Sequence, residues 1–212
     1  MAAAELTLDE LETDALTELV NIAVSRAAKN LREMVGGQVF LSVPRIQLVG
    51  RQQAIEILGE QGMDRLVAVH QLFEGELTGR ALLIFPEARS LELVRAVAGP
   101  EHSLEDIIDL EQEALAETGN VILNSCLATI ANLLHRSLKV SLPEVIRGTG
   151  VDFFNLSPPP APGEVVLFLY INFTVKDHDI TGYIAMLMDM PSLAVLKALL
   201  SDFIERVGGT EI

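Results

Sequence analysis

Two short groups of polar residues combine a carboxylate with an amide at helical spacing. Glu18 is followed three residues later by Asn21, and Glu117 is followed three residues later by Asn120. A carboxylate can pair with a lysine or arginine of another protein. A neutral amide both donates and accepts hydrogen bonds, so it can hold a water molecule in a chosen direction. Each pair therefore suits a reaction in which water is oriented for in-line attack on phosphorus, as a glutamine does in GTPases.

The two groups belong to a longer internal repeat. An acid lies four residues before each glutamate, Asp14 in the first group and Glu113 in the second, and every member of the first group recurs 99 residues later. We expect these two acids to be peripheral. The segments LSVP, ending at Pro44, and VSLP, ending at Pro143, keep that offset. Four ordered matches at one offset are not expected by chance, so the chain is predicted to contain two copies of one unit.

Each copy is predicted to contain the same elements in the same order. Each copy begins with a long helix, at 8–34 in the first copy and at 103–136 in the second, where a short helix followed by a long one is the alternative. A strand-rich segment follows at 38–48 and at 138–146. A hairpin (65–74 with 76–85, and 165–176 with 179–188) and a closing helix (87–98 and 191–206) complete each copy. The copies themselves span about 8–100 and 103–206. We therefore expect a single domain over 1–212, an α/β (α+β) sandwich with pseudo-two-fold symmetry, an antiparallel sheet and two long helices that carry the polar groups.

The ends of the first helix have recognisable signals. Thr7 followed by Glu10 predicts a capping box at its start. Gly36 and Gly37 predict its end, since glycine readily adopts the left-handed conformation that closes a helix.

Helical geometry predicts which way the polar groups face. At 100° per residue, Asp14, Glu18 and Asn21 fall within a stripe about 60° wide, opposite the apolar side of the helix. The second helix repeats this arrangement, with Gly119 on its apolar side. Because glycine in mid-helix costs about 1 kcal/mol relative to alanine, Gly119 is expected to allow close packing. Both stripes should therefore point towards solvent or a partner.

The pattern acid-x-x-x-Glu-x-x-Asn, then twenty-two residues, then proline resembles the signature of the CheC/CheX/FliY family of chemotaxis phosphatases. Both copies fit it without a gap, ending at Pro44 and Pro143. CheX-like members keep one such site per chain, so two copies in one chain resemble CheC more closely.

The resemblance implies a function and roles for four residues. The chain would dock on a phosphorylated CheY-like receiver and hydrolyse its aspartyl phosphate. Glu18 and Glu117 would hold the receiver's active-site lysine, and Asn21 and Asn120 would orient the attacking water. The chain would need no cofactor of its own, since Mg²⁺ would be supplied by the receiver. A CheD-like receptor deamidase is a further partner that the resemblance implies.

Composition excludes several other classes of protein. The chain of 212 residues has 15 Lys+Arg against 30 Asp+Glu and a formal net charge of −15. This balance argues against binding to nucleic acid or to an anionic membrane surface. The acidic start is unlike a signal peptide, and apolar runs are shorter than the ~20 residues that span a bilayer, so we expect a cytoplasmic protein without membrane insertion.

Three alternatives remain beside the phosphatase hypothesis. The chain could be a non-catalytic module that binds a receiver or a deamidase, although simple docking has no evident need for the asparagines. A metal site at Asp177, His178 and Asp179 would need further ligands, and a tight hairpin turn is commoner at such a position. Cys126 could be a reactive thiol, but it lies on the apolar side of its helix and is interpreted as a core residue.

Overall fold

The computed structural model describes residues 7–60, 65–98, 103–156, 163–175 and 178–208. Its helices and strands in chain order are α1 (Glu10–Val35), β1 (Val39–Gly50), α2 (Arg51–Glu60), β2 (Leu66–Gly75), β3 (Gly79–Pro86), α3 (Ser90–Ala98), α4 (Leu104–Leu133), β4 (Leu138–Val140), β5 (Glu144–Gly148), α5 (Gly150–Phe154), β6 (Val165–Val175), β7 (His178–Met188) and α6 (Met190–Gly208). Among the described residues, no helix combines the length and the apolar character needed to cross a membrane.

The strands form one antiparallel sheet with a symmetric order. The order is β1-β6-β7-β3-β2-β4, and β5 also pairs with β2. The central pair, β3 and β7, comes from equivalent places in the two repeats. At each edge, a strand of one repeat pairs with a hairpin of the other, since β1 lies beside β6 and both β4 and β5 lie beside β2. The predicted duplicated, pseudo-two-fold antiparallel sheet is therefore confirmed.

Hydrophobic cores lie on both faces of the sheet. The larger core packs α1, α3, α4 and α6 against one face, and it includes Leu19, Leu123 and Phe173. A smaller core packs the short helices α2 and α5 against the other face, around Phe153 and Tyr183. These two short helices are not among the elements predicted from the sequence. Their lengths, 10 and 5 residues, give only a brief helical period.

The start of α1 differs from the prediction and its end agrees. The predicted capping box at Thr7 and Glu10 is wrong. Asp9 is the N-cap, its side chain accepts from the Glu12 backbone N–H at 2.8 Å, and the Glu12 carboxylate accepts from the Asp9 N–H at 2.9 Å. Aspartate is at least as good an N-cap as threonine, so the same pattern two residues later prevails. Gly36 closes the helix with φ 59°.

Two strand predictions need correction. The segment predicted at 138–146 is two strands, β4 and β5, separated around Pro143, because proline cannot donate to a strand ladder. The predicted tight turn at Asp177, His178 and Asp179 is wrong for its last two residues. His178 and Asp179 belong to β7, where both pair with the end of β6, and Asp177 lies outside the described residues.

Candidate functional site

The first candidate site is an outward stripe on α1. Glu18 and Asn21 are both exposed, and Asp14 is exposed one turn before them. The helix turns its apolar side to the sheet, with Leu19 and Ala23 fully buried. The predicted orientation is therefore correct. Asn21 has no hydrogen-bond partner for its side chain among the described residues.

The second candidate site is the equivalent stripe on α4. Glu117 and Glu113 are exposed, whereas Asn120 is partly buried. The buried apolar side of α4 includes Leu115, Ile122, Leu123, Cys126 and Ile130. The orientation is again as predicted, but the second asparagine sits deeper than the first.

Close packing of α4 on β2 accounts for that depth. A Cβ atom added to Gly119 would lie 2.5 Å from the Val69 side chain, which is closer than atoms can approach. The helix therefore lies nearer the sheet than a residue with a side chain would permit, as the sequence predicts for Gly119. The neighbouring residue, Asn120, is brought within reach of side chains on the sheet.

Two side chains donate to the Asn120 amide oxygen. Gln71 Nε2 donates to Asn120 Oδ1 at 3.1 Å, and Asn124 Nδ2 donates to the same atom at 2.7 Å. Gln71 is fully buried on β2, and its Nε2 also donates to the Ser141 carbonyl at 2.9 Å. Gln71 is not among the candidate residues that the sequence indicates. One feature of the sequence could have indicated Gln71. It is a polar residue on the helix-facing side of β2, where the residues two positions before and after it are apolar.

The two sites lie well apart. The central strands of the two repeats are antiparallel, and both long helices pack on the same face of the sheet. The pseudo-two-fold axis is therefore perpendicular to the sheet. A rotation about this axis reverses the direction of a helix, so α1 and α4 run antiparallel. They meet where Asn30 Nδ2 donates to Ser125 Oγ at 2.9 Å. At 1.5 Å per residue, this places Asn21 and Asn120 about 20 Å apart along the helices, on opposite sides of the contact. A single small globular partner would not engage both stripes in the same way.

The remaining candidates do not form another chemical centre within the described part of the chain. Cys126 is buried, and burial raises the pKa of its thiol to about 12. This agrees with its interpretation as a core residue, since the thiolate is the reactive form. Within the described ranges, no group of three or more His, Cys, Asp or Glu side chains could hold a metal ion.

Named relatives are similar to this chain in sequence. The chain is 29% identical over 142 residues to the CheY-P phosphatase CheC of Bacillus subtilis, a match that covers 65% of this chain and 67% of that protein. It is 24% identical over 183 residues to a putative CheY-P phosphatase CheC1 of Halobacterium salinarum, covering 84% and 90% of the two chains. No family model matches the chain.

Solved structures share the fold. FliY from Thermotoga maritima superimposes with a TM-score of 0.70 at 19% identity, covering 94% of this chain and 98% of that one. The FliM middle domain from H. pylori has a TM-score of 0.58 at 10% identity, covering 91% and 99%. The fold is thus that of the FliY and FliM middle domains. With the two CheC relatives, it confirms the predicted resemblance to the CheC/CheX/FliY family.

Proposed function

We propose that this chain hydrolyses the aspartyl phosphate of a CheY-like receiver in chemotaxis signalling. Both sequence relatives described above are named as CheY-P phosphatases, the second as a putative one. The observation that carries the proposal is the recurrence of an exposed glutamate with an asparagine one turn later on two outward helix faces. Neither residue supplies a hydroxyl or thiol nucleophile, and an amide beside a carboxylate suits the orientation of water, so the proposed chemistry is hydrolysis by oriented water.

In the proposed reaction, the oxygen of a water molecule attacks the phosphorus atom. The bond between phosphorus and the aspartyl oxygen breaks, which leaves a free carboxylate on the receiver, inorganic phosphate and a proton released to solvent. Asn21 in one site and Asn120 in the other orient the water. Holding a reactant in line lowers the barrier because the loss of its rotational freedom no longer occurs in the rate-limiting step.

The glutamates have a docking role in this proposal. Glu18 and Glu117 are exposed, so both carboxylates stay hydrated in the free chain. Each can then pair with a lysine on the receiver when the complex forms. The Mg²⁺ ion that neutralises phosphate charge belongs to the receiver and not to this chain. The cytoplasmic location predicted from the sequence is part of the same proposal.

A phosphate-release assay tests the proposal. A CheY-like receiver from the same genome is phosphorylated with a small phosphodonor in the presence of Mg²⁺, and release of inorganic phosphate is followed with and without the chain. We expect faster release with the chain and no acceleration with the Asn21→Ala, Asn120→Ala double variant. Unchanged decay with every receiver of that genome would overturn the proposal.

The alternative function is a non-catalytic module that binds a receiver or a CheD-like deamidase. It differs from the phosphatase proposal in one measurable respect. A binding module would saturate with the phosphorylated receiver, or with the deamidase, while hydrolysis stays at the spontaneous rate. Titration followed by fluorescence anisotropy, with phosphate release measured in the same samples, distinguishes the two functions.

A further inference from the structure

The amide of Asn120 can take only one orientation in its surroundings. The Ser141 backbone carbonyl accepts from one end of the Gln71 side chain, and a carbonyl cannot donate. That end of Gln71 must therefore be its NH₂ group. The same NH₂ group contacts Asn120 at 3.1 Å, so the atom of Asn120 that meets it must be the oxygen.

This chain of hydrogen bonds fixes the other end of the asparagine. With its oxygen held by Gln71 and by Asn124, the Asn120 NH₂ group is the part left to face a partner. A second-site asparagine with this orientation acts as a hydrogen-bond donor towards the outside.

The first site lacks both supporting side chains. Counted from the edge strands, Ile171 on β6 corresponds to Gln71 on β2, because each lies opposite the proline-containing irregularity of the neighbouring edge strand, at Pro44 or Pro143. Ile171 is 1% exposed and belongs to the same core, so it fills the equivalent place with an apolar side chain. Counted from the hairpin turns, the counterpart of Gln71 is Leu169, the preceding residue on that side of β6, which is also apolar and buried in this core.

The counterpart of Asn124, at the offset of 99, is the exposed Ser25. The side chain of Asn21 is accordingly unrestrained among the described residues.

The buried polar group on β2 is not required by the fold. Gln71 Oε1 and Asn124 Oδ1 are buried without a hydrogen-bond partner within the part of the chain that the structure describes. An unsatisfied buried polar atom costs about 1–3 kcal/mol. Ile171 shows that an apolar residue can occupy this position in the other repeat. Stability alone therefore does not account for the polar arrangement.

We propose that Gln71 and Asn124 are positioning residues of the second site, which hold Asn120 with its NH₂ group directed at the attacking water. The inference rests on the proposed function. An N–H donated to one lone pair of the water leaves the other lone pair free for phosphorus. The described residues provide no such restraint at the first site, so its asparagine must be ordered by the receiver when the complex forms.

The kinetic test isolates the second site in an Asn21→Ala background. Gln71→Leu keeps the size of the side chain and removes its donor. We expect kcat to fall by about tenfold or more, since positioning effects of this kind are large, with KM for the phosphorylated receiver unchanged. Asn124→Ser, which reproduces Ser25, should lower kcat less because one donor remains. A Gln71→Leu variant that folds and keeps its parent's kcat would overturn the inference.

A matched control comes from the first site. An Asn120→Ala background leaves only the first site active. In this background, Ser25→Ala removes the side chain equivalent to Asn124, and we expect no change in kcat because the described residues show no hydrogen bond to Asn21. Thermal unfolding of each variant identifies loss of folding. If Gln71→Leu does not fold, the smaller Asn124→Ser change decides the kinetic question.

An NMR measurement tests the inference without using activity. We expect a high order parameter for the Asn120 side-chain nitrogen, a low one for Asn21, and a low one for Asn120 after Gln71→Leu. Equal mobility of the two asparagines in the unaltered chain would overturn the inference even if the chain is an active phosphatase. Failure of the wild-type chain to accelerate phosphate release would instead contradict the proposed function, and the order parameters would still decide whether Asn120 is held.

Discussion

Gly119 on α4 and Val69 on β2 are in direct contact, and the space between them is too small for a Cβ atom. Gly119→Ala would place a methyl group 2.5 Å from a buried β-branched side chain. Overpacking of this kind costs about 1–3 kcal/mol, which should exceed the gain of about 1 kcal/mol in helix propensity. We expect a lower Tm by differential scanning calorimetry, with lower second-site activity because Asn120 moves away from Gln71.

A second substitution provides the control for this prediction. Val69→Ala removes the methyl groups that the new side chain would meet. The double variant Gly119→Ala, Val69→Ala should therefore lose less stability than the two single changes added together, because residues in contact are not additive. A Gly119→Ala variant more stable than the wild type would show that helix propensity outweighs the contact.

The two sites should act independently. Asn21→Ala and Asn120→Ala should each lower activity at one site by on the order of 10²-fold and leave the other site intact. The double variant should fall to the spontaneous rate of phosphate release while keeping its far-ultraviolet circular dichroism, since Asn21 is exposed and Asn120 only partly buried. Complete loss of activity in either single variant would be incompatible with separate sites.

The glutamates should affect docking rather than the chemical step. With Asn21→Ala as the background, Glu117→Ala should raise KM by about two- to fivefold, as expected for loss of an exposed ion pair. The salt dependence of KM should weaken at the same time. Glu113→Ala, the same charge change one turn earlier on α4, is the matched control. Equal effects of the two variants would indicate a general electrostatic attraction instead of a specific pairing.

Stability should decrease through His70 as the pH falls. Burial lowers the pKa of this imidazole, Glu144 at 3.7 Å opposes the shift, and Arg80 adds to it. The His70 imidazole takes up a proton near pH 6.5 in the unfolded chain but only at a lower pH in the folded chain. As the pH falls below 6.5, proton binding therefore favours the unfolded state and stability decreases. We expect the Tm of the wild type to fall more between pH 7 and pH 5 than that of His70→Gln. Parallel curves for the two chains would contradict this assignment.

The end of α4 offers a stabilising substitution. His135 has φ 56°, in the left-handed region, and its N–H donates to the Asn132 carbonyl at 3.1 Å, while the next residue donates to Ala131 at 2.8 Å. Gly36 has the same place in the first repeat. His135→Gly should raise the stability by about 0.5–1 kcal/mol and the Tm by about 1–4 °C, because glycine adopts this conformation without steric cost. Gly36→Ala should have the opposite effect in the same thermal unfolding experiment.

The long helices and their outward stripes were predictable because they depend on local periodicity and on the repeat. Asn21 and Asn120 recur at the same helical angle, and two helix surfaces can be compared residue by residue without knowing the fold. The close packing at Gly119 was predictable for a similar reason, since glycine in mid-helix is unfavourable unless the missing side chain lets a neighbouring element approach.

The support behind Asn120 was not predictable in this way. Gln71 belongs to the other repeat and lies 49 residues away in the chain, so only the strand order and the pairing register bring it under α4. The alignment of the repeats also hides the difference, because the strands β2 and β6 do not share the offset of the helices. The shifted N-cap at Asp9 has a simpler cause, since two overlapping capping patterns compete within a few residues.

The exchange of edge strands has a consequence for the ancestry of the chain. A single repeat would leave β2 or β6 without its outer neighbour, and a second copy would have to supply it. The duplicated chain thus has the topology of a swapped homodimer whose two subunits have been joined end to end. In a symmetric dimer, any residue that lies beneath the long polar-striped helix of one subunit also lies beneath that of the other. Covalent fusion removes that constraint, which is why Gln71 and Ile171 can differ and the two halves can specialise.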